Sequence, residues 1–119
     1  GCITEAVEYN ARGCDWLVLE SNHDEELLKL GPYPWHLKRR VLSDQGHLSN
    51  SCLADFLTEG FDGSASHLFL AHLSRQNNAP ELALDSARWA IQQRSPQLPG
   101  RDLQIHLTHQ TKPSIVLSL

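Results

Sequence analysis

Methionine is absent from the 119 residues, and the first residue is Gly1. Loss of an initiator before glycine and trimming from a longer protein both account for this, and composition does not choose between them. Cysteine is scarce and odd in number: Cys2, Cys14 and Cys52 are widely spaced, with no Cys-x-x-Cys. That excludes a zinc ribbon and a redox pair, and reduced thiols in a cytoplasmic protein are the plain expectation. Long apolar runs are missing too, since none exceeds four residues. A membrane span and a secretory leader are therefore not expected. Positive charge is in short supply, with 10 Lys and Arg against 14 Asp and Glu, a net charge of -4. A protein that coats nucleic acid through bulk charge is excluded on that balance, although a local basic patch is not. Nor is there a Gly-rich phosphate loop, a Gly-x-Ser-x-Gly elbow or a His-x-x-x-His zinc helix. Ser49, Ser74 and the cysteines have no activating base by spacing, so covalent catalysis is unsupported.

What is present is an ordinary globular composition, 40% hydrophobic and 20% charged, enough for a single domain or part of one. Residues 4–12 read as a short helix, with Ile3, Val7 and Ala11 at spacing four and Gly13 as its stop. Trp16-Leu17-Val18-Leu19 between polar flanks predicts a strand buried on both faces, the pattern of a parallel sheet. A brief helix over 24–30 ends at Gly31-Pro32, and 33–42 forms another that carries Lys38-Arg39-Arg40. Ser49 caps a helix whose inner face is Leu53, Phe56 and Leu57. Residues 67–71 are a second strand. Asn78 caps a helix to about residue 94, with Ala83, Leu84, Ala87, Ala90 and Ile91 as its apolar stripe. Leu103 to Leu107 alternates at period two, as an edge strand does, and 114–117 adds a last short strand.

Chemistry gathers around two echoing tripeptides, His47-Leu48-Ser49 and His72-Leu73-Ser74. His47 opens a helix and His72 ends a strand, so a β-α-β arrangement brings both to one sheet edge, where open α/β sheets bind ligands. His72 there suits a metal ligand, or a partner for a loop carbonyl. His47 suits a ligand or a general acid, or is simply a helix flank. Glu20 ends the first strand in the place that His72 holds on the second, where a carboxylate can orient an imidazole or face solvent. Asp24 reads as a helix cap beside His23. His36, His67, His106 and His109 show no partner spacing. The triplet Lys38, Arg39 and Arg40 can grip phosphate or form a solvated helix face.

Taken in order, five motifs are specific: Leu17-Val18-Leu19-Glu20-Ser21-Asn22-His23-Asp24, Gly31-Pro32-Tyr33-Pro34, Leu37-Lys38-Arg39-Arg40, Gly46-His47-Leu48-Ser49-Asn50, and Leu70-Ala71-His72-Leu73-Ser74 with Asn77-Asn78. The series resembles the C-terminal half of a metallo-β-lactamase-fold hydrolase, of the bacterial WalJ/YycJ-type branch, similar in layout to ribonuclease Z and associated with exonuclease activity. The resemblance runs from the start of the chain to Pro113-Ser114. It implies an α/β fold, half of an αβ/βα sandwich with a short sheet and flanking helices, with residues 1–119 as one partial domain. It implies His72 as a metal ligand, His47 as the donor of a proton to the leaving group, and Glu20 as the acid supporting His47. Ser49, Asn50 and the basic triplet are then expected to contact substrate. Asn22, His23 and Asp24 match a signature without an assigned role.

The resemblance also implies two divalent ions in the complete site, zinc or manganese, and a nucleic-acid substrate. The family's His-x-His-x-Asp-His motif and bridging aspartate are absent from this sequence. The chain is accordingly expected to hold part of the site, to be inactive alone, and to leave one sheet face for a missing N-terminal half or a second copy. The contrasting expectation is a non-catalytic α/β module that binds a partner through the same surfaces.

Overall fold

A computed structural model describes residues 3, 5–32, 34–42 and 47–108. Among these residues five α-helices and three strands follow in the expected order: α1 (Glu5–Ala11), β1 (Trp16–Glu20), α2 (Glu25–Leu30), α3 (Trp35–Leu42), α4 (Asn50–Asp55), β2 (His67–Ala71), α5 (Pro80–Gln93) and β3 (Gln104–Leu107). The readings of 43–46 as loop and 114–117 as a strand lie outside the described residues, as does the Gly46 and Pro113-Ser114 part of the motif series.

The sheet is parallel, in the order β1-β2-β3. Trp16 pairs with His67 and Glu20 with Ala71; His67 pairs in turn with Gln104 and Leu70 with Leu107. Parallel neighbours need crossovers. The first contains α2, α3 and α4, and the second contains α5. Because strand side chains alternate, the sheet has two distinct faces. Leu17, Leu68 and Leu70 point into a core with Leu53, Phe56, Leu57, Phe61, Ala83, Ala87, Ala90 and Ile91. α4 and α5 pack on one another over this face, and burial of these aliphatic and aromatic side chains is the main force holding the layers together.

The opposite face corrects the expectation that β1 is buried on both sides. Val18 is 65% exposed, because the core helices cover only one side of the sheet. The open face carries Trp16, Val18, His67, Phe69 and His106 in neighbouring registers. Trp16 and His106 lie against Phe69, with ring centroids 5.8 and 4.9 Å away. His67 Nδ1 and His106 Nε2 are 2.9 Å apart and share a hydrogen bond. These two histidines, without partner spacing in sequence, meet diagonally across neighbouring strands, since His67 pairs with Gln104 and His106 with Phe69.

α4 does not stop at Asp55. It widens into a π-helical turn, Phe56–Gly60, that closes when Phe61 N–H donates to Phe56 C=O at 2.8 Å. The buried Arg94 guanidinium caps this region, donating to the carbonyls of Leu57 (3.0 Å), Pro99 (2.7 Å) and Phe61, and lying over the Phe61 ring. α5 begins one residue later than expected: its N-cap is Ala79, and Asn78 is drawn instead into a buried polar network.

Candidate functional site

β1 and β2 run side by side, so their carboxyl ends coincide. Glu20, at the end of β1, pairs with Ala71, and His72 follows directly. The third member arrives on the segment before α4. Ser49 caps that helix, accepting from Cys52 N–H at 3.1 Å, and this fixes the start of the helix just beyond His47. Glu20 Oε1 accepts from His47 Nδ1–H at 2.6 Å, and its other oxygen lies 3.8 Å from His72 Nδ1. One carboxylate therefore stands between two imidazoles. The first contact is a short charge-assisted hydrogen bond. The second is an ion-pair distance, too long for a hydrogen bond. Both histidines are exposed and Glu20 is half-buried, so the cluster opens to solvent on the carboxyl edge.

Between the two histidine-bearing loops runs residues 21–24, extending β1. On one side Asn22 N–H donates to Leu48 C=O (2.8 Å) and Asn50 N–H to His23 C=O (2.9 Å), with a parallel bridge between His23 and Ser49. On the other side Ser21 N–H donates to Ala71 C=O (3.0 Å), Ser74 N–H to Asn22 C=O (2.7 Å) and Asp24 N–H to Asn77 C=O (2.8 Å). The Asn22 side chain adds a bond from Nδ2 to His72 C=O at 2.7 Å. Beneath lies a closed polar network: Ser21 Oγ donates to Asn50 Oδ1 (2.5 Å), Asn50 Nδ2 to Asn78 Oδ1 (2.9 Å) and Asn78 Nδ2 to Ser21 C=O (2.9 Å). Buried amides joined in this way specify one arrangement of the loops they connect.

His72 carries a cost for its place. Its φ is +56°, and among the described residues it is the one non-glycine with positive φ. For a residue with a Cβ the left-handed region costs about 1–2 kcal/mol, so the surrounding contacts must hold it there.

The other site residues expected from sequence are placed differently. Ser49 is buried; besides capping α4, its hydroxyl donates to Glu25 Oε1 at 3.1 Å. Asn50 is buried in the amide network. Lys38 turns inward: its ammonium donates to Lys29 C=O at 2.6 Å and lies over the Trp35 ring. These three side chains are engaged within the fold and do not join the Glu20 cluster. Arg39 is exposed, and the side chain of Arg40 lies outside the described residues. His23 is 1% exposed, donates from Nδ1 to Asn22 Oδ1 at 3.3 Å, and has its pKa lowered by burial of the ring. Asp24 is the N-cap of α2, accepting from Leu27 N–H. Sequence reasoning missed the bracing roles of Ser21, Asn22 and Asn78. The available signal was the density of small polar residues directly after two apolar strands.

The metal expectation can be set against these donors. Among the described residues no group of three or more His, Cys, Asp and Glu side chains is arranged to hold an ion. Glu20 is already committed to His47, which leaves His72 as a single ligand. The described donors do not fit a two-ion centre by themselves.

What these observations define is a helix-backed parallel α/β unit with a carboxylate-bridged histidine pair on its carboxyl edge. Over 114 residues, 96% of its length, the chain is 36% identical to exodeoxyribonuclease YycJ of Bacillus anthracis. It is 39% identical over 83 residues to exodeoxyribonuclease WalJ from two strains of Streptococcus pneumoniae. The chain is thus a homologue of the YycJ and WalJ exodeoxyribonucleases. It spans only 43% of the first relative and 31% of the others. No family profile matches the chain, and no solved structure does. Among the described residues no helix is long and apolar enough to cross a membrane.

Proposed function

We propose that this chain is the C-terminal half of a metallo-β-lactamase-fold exodeoxyribonuclease, and that the Glu20–His47–His72 cluster is its share of the active site. The observation that carries this reading is the bridging carboxylate: three residues separated by 27 and 25 positions in sequence meet at the carboxyl edge of a parallel sheet, in a homologue of exodeoxyribonucleases. His47, oriented by Glu20, donates a proton to the oxygen leaving phosphorus. His72 supplies one ligand to a pair of divalent ions, zinc or manganese, whose other ligands lie outside this chain. DNA is the substrate, and the cytoplasm is the setting. Arg39 is exposed and available for backbone contacts, whereas Ser49, Asn50 and Lys38 act by shaping the loops.

The open sheet face supports the reading of a half-domain, because a sheet covered on one side only leaves Trp16 and Val18 for a second layer. The same face also favours a second reading, a self-associating module without catalysis.

The test is an exonuclease assay on end-labelled DNA, with this chain and with a longer protein that restores the missing half. Activity is expected from the longer protein only, abolished by chelation, and lowered at least about 100-fold by His47→Ala or His72→Ala. A longer protein that degrades no DNA, or one indifferent to both substitutions, overturns the reading.

A further inference from the structure

We infer that Asn22 is a positioning residue for His72, holding the histidine's left-handed backbone so that its imidazole faces Glu20. The turn after β2 is gripped at two points by this one residue. Asn22 C=O accepts the Ser74 N–H at 2.7 Å, and Asn22 Nδ2–H donates to His72 C=O at 2.7 Å. The two gripped groups flank Leu73, so the peptide geometry on the carboxyl side of His72 is fixed from outside the turn. A third bond, from Asn22 N–H to Leu48 C=O at 2.8 Å, ties the same residue to the loop that carries His47. Asn22 thereby sets the two histidine loops relative to each other as well as to itself.

The residue type is required by the chemistry. The His72 carbonyl needs a donor, and the backbone N–H of Asn22 is already used on Leu48. An aspartate of the same size would place a carboxylate against that carbonyl, and an alanine would leave it open. The Asn22 Oδ1 is also used, accepting from His23 Nδ1–H at 3.3 Å, which orients the amide so that its NH2 faces His72. A residue with one donor and one acceptor on a short stem answers both demands. His72 has φ +56°, a conformation that is costly for a residue with a Cβ and that these bonds help to hold.

The functional meaning of this clamp rests on the reading of His72 as an active-site residue. Its test needs neither metal nor turnover, so the two can fail separately. The experiment is solution NMR of the isotopically labelled chain. In the wild type, the Asn22 side-chain amide is expected to show a coupling across the hydrogen bond to the His72 carbonyl carbon. The His72 ring is expected to show a nuclear Overhauser contact to the Glu20 methylenes. In Asn22→Asp and Asn22→Ala the contact from His72 to Glu20 is lost, while that from His47 to Glu20 and the Trp16–Phe69 contacts persist. A merely structural role would move all of these together or none. The inference is overturned if the His72–Glu20 contact survives in either variant, or if a variant that keeps its Trp16–Phe69 contacts, and so is folded, loses the His47–Glu20 contact as well. Should neither variant fold, the wild-type measurement decides: an Asn22 amide with no coupling to His72 and rapid solvent exchange overturns it.

Discussion

A neutral imidazole buried in a protein ties stability to acid, and His23 is such a group. Burial lowers its pKa from the ordinary 6.5. Just below that value the unfolded chain takes up a proton that the folded chain refuses, so folding is opposed as pH falls. Stability is full above about 6.5 and is lost downward towards the lowered folded value. His106 adds in the same direction, lowered by burial and then by His67. Urea midpoints at pH 7.5 and 5.5 are expected to show a clear drop at the lower pH, and His23→Gln to flatten it. Arg94 makes a different prediction. Arg94→Met leaves the carbonyls of Leu57, Pro99 and Phe61 without their donor, and a loss of about 3 kcal/mol in denaturant unfolding is expected. Residue chemistry was readable in the sequence where it sat at strand ends and helix starts, as with Glu20, His47 and His72. It was unreadable for Ser21, Asn22, Asn50 and Asn78. Neutral hydroxyls and amides follow no period, and their partners come together only in the folded chain. Lys38 also misled, because a lysine in a basic triplet gives no sign that its ammonium will fold back onto a carbonyl nine residues earlier.

At the scale of elements, caps and turns govern what forms. Ser49→Ala removes the acceptor for Cys52 N–H and the donor to Glu25, with an expected cost of about 1 kcal/mol, measured by thermal or urea unfolding. Gly63 lies at φ +84°, where an added Cβ would meet the Pro99 carbonyl oxygen at 2.5 Å. Gly63→Ala is expected to cost at least about 2 kcal/mol in the same assay, because the backbone and the neighbouring loop cannot both relax. Element type was legible for the described α-helices and strands, since apolar spacing of four and of two largely tracks burial on the core side; the π-helical turn over Phe56–Gly60 was not. The faces of β1 were not. A run of four apolar residues fits a strand covered twice, and only the positions of α4 and α5 show that the core helices lie on one side, with Val18 exposed on the other. The shift of the α5 cap from Asn78 to Ala79 has a similar cause: the asparagine has a stronger claim on it from Asn50 and Ser21.

For the whole molecule, the uncovered sheet face sets behaviour in solution. Trp16 and Val18 offer apolar surface beside the His67–His106 pair, and the isolated chain is expected to self-associate with rising concentration. Val18→Lys should shift sedimentation towards the monomer without lowering the urea midpoint, because its side chain is not part of the helix-backed core. The parallel pairing of β1 with β2 has a consequence for synthesis. Among the described residues, the strand partner of residue 16 is not complete until residue 67 has been made, and ribosomes add residues at roughly 5–20 per second. For roughly 3–10 seconds the first strand of a nascent chain therefore waits as a hydrophobic segment without its β2 neighbour, and that interval is when a chaperone would find it.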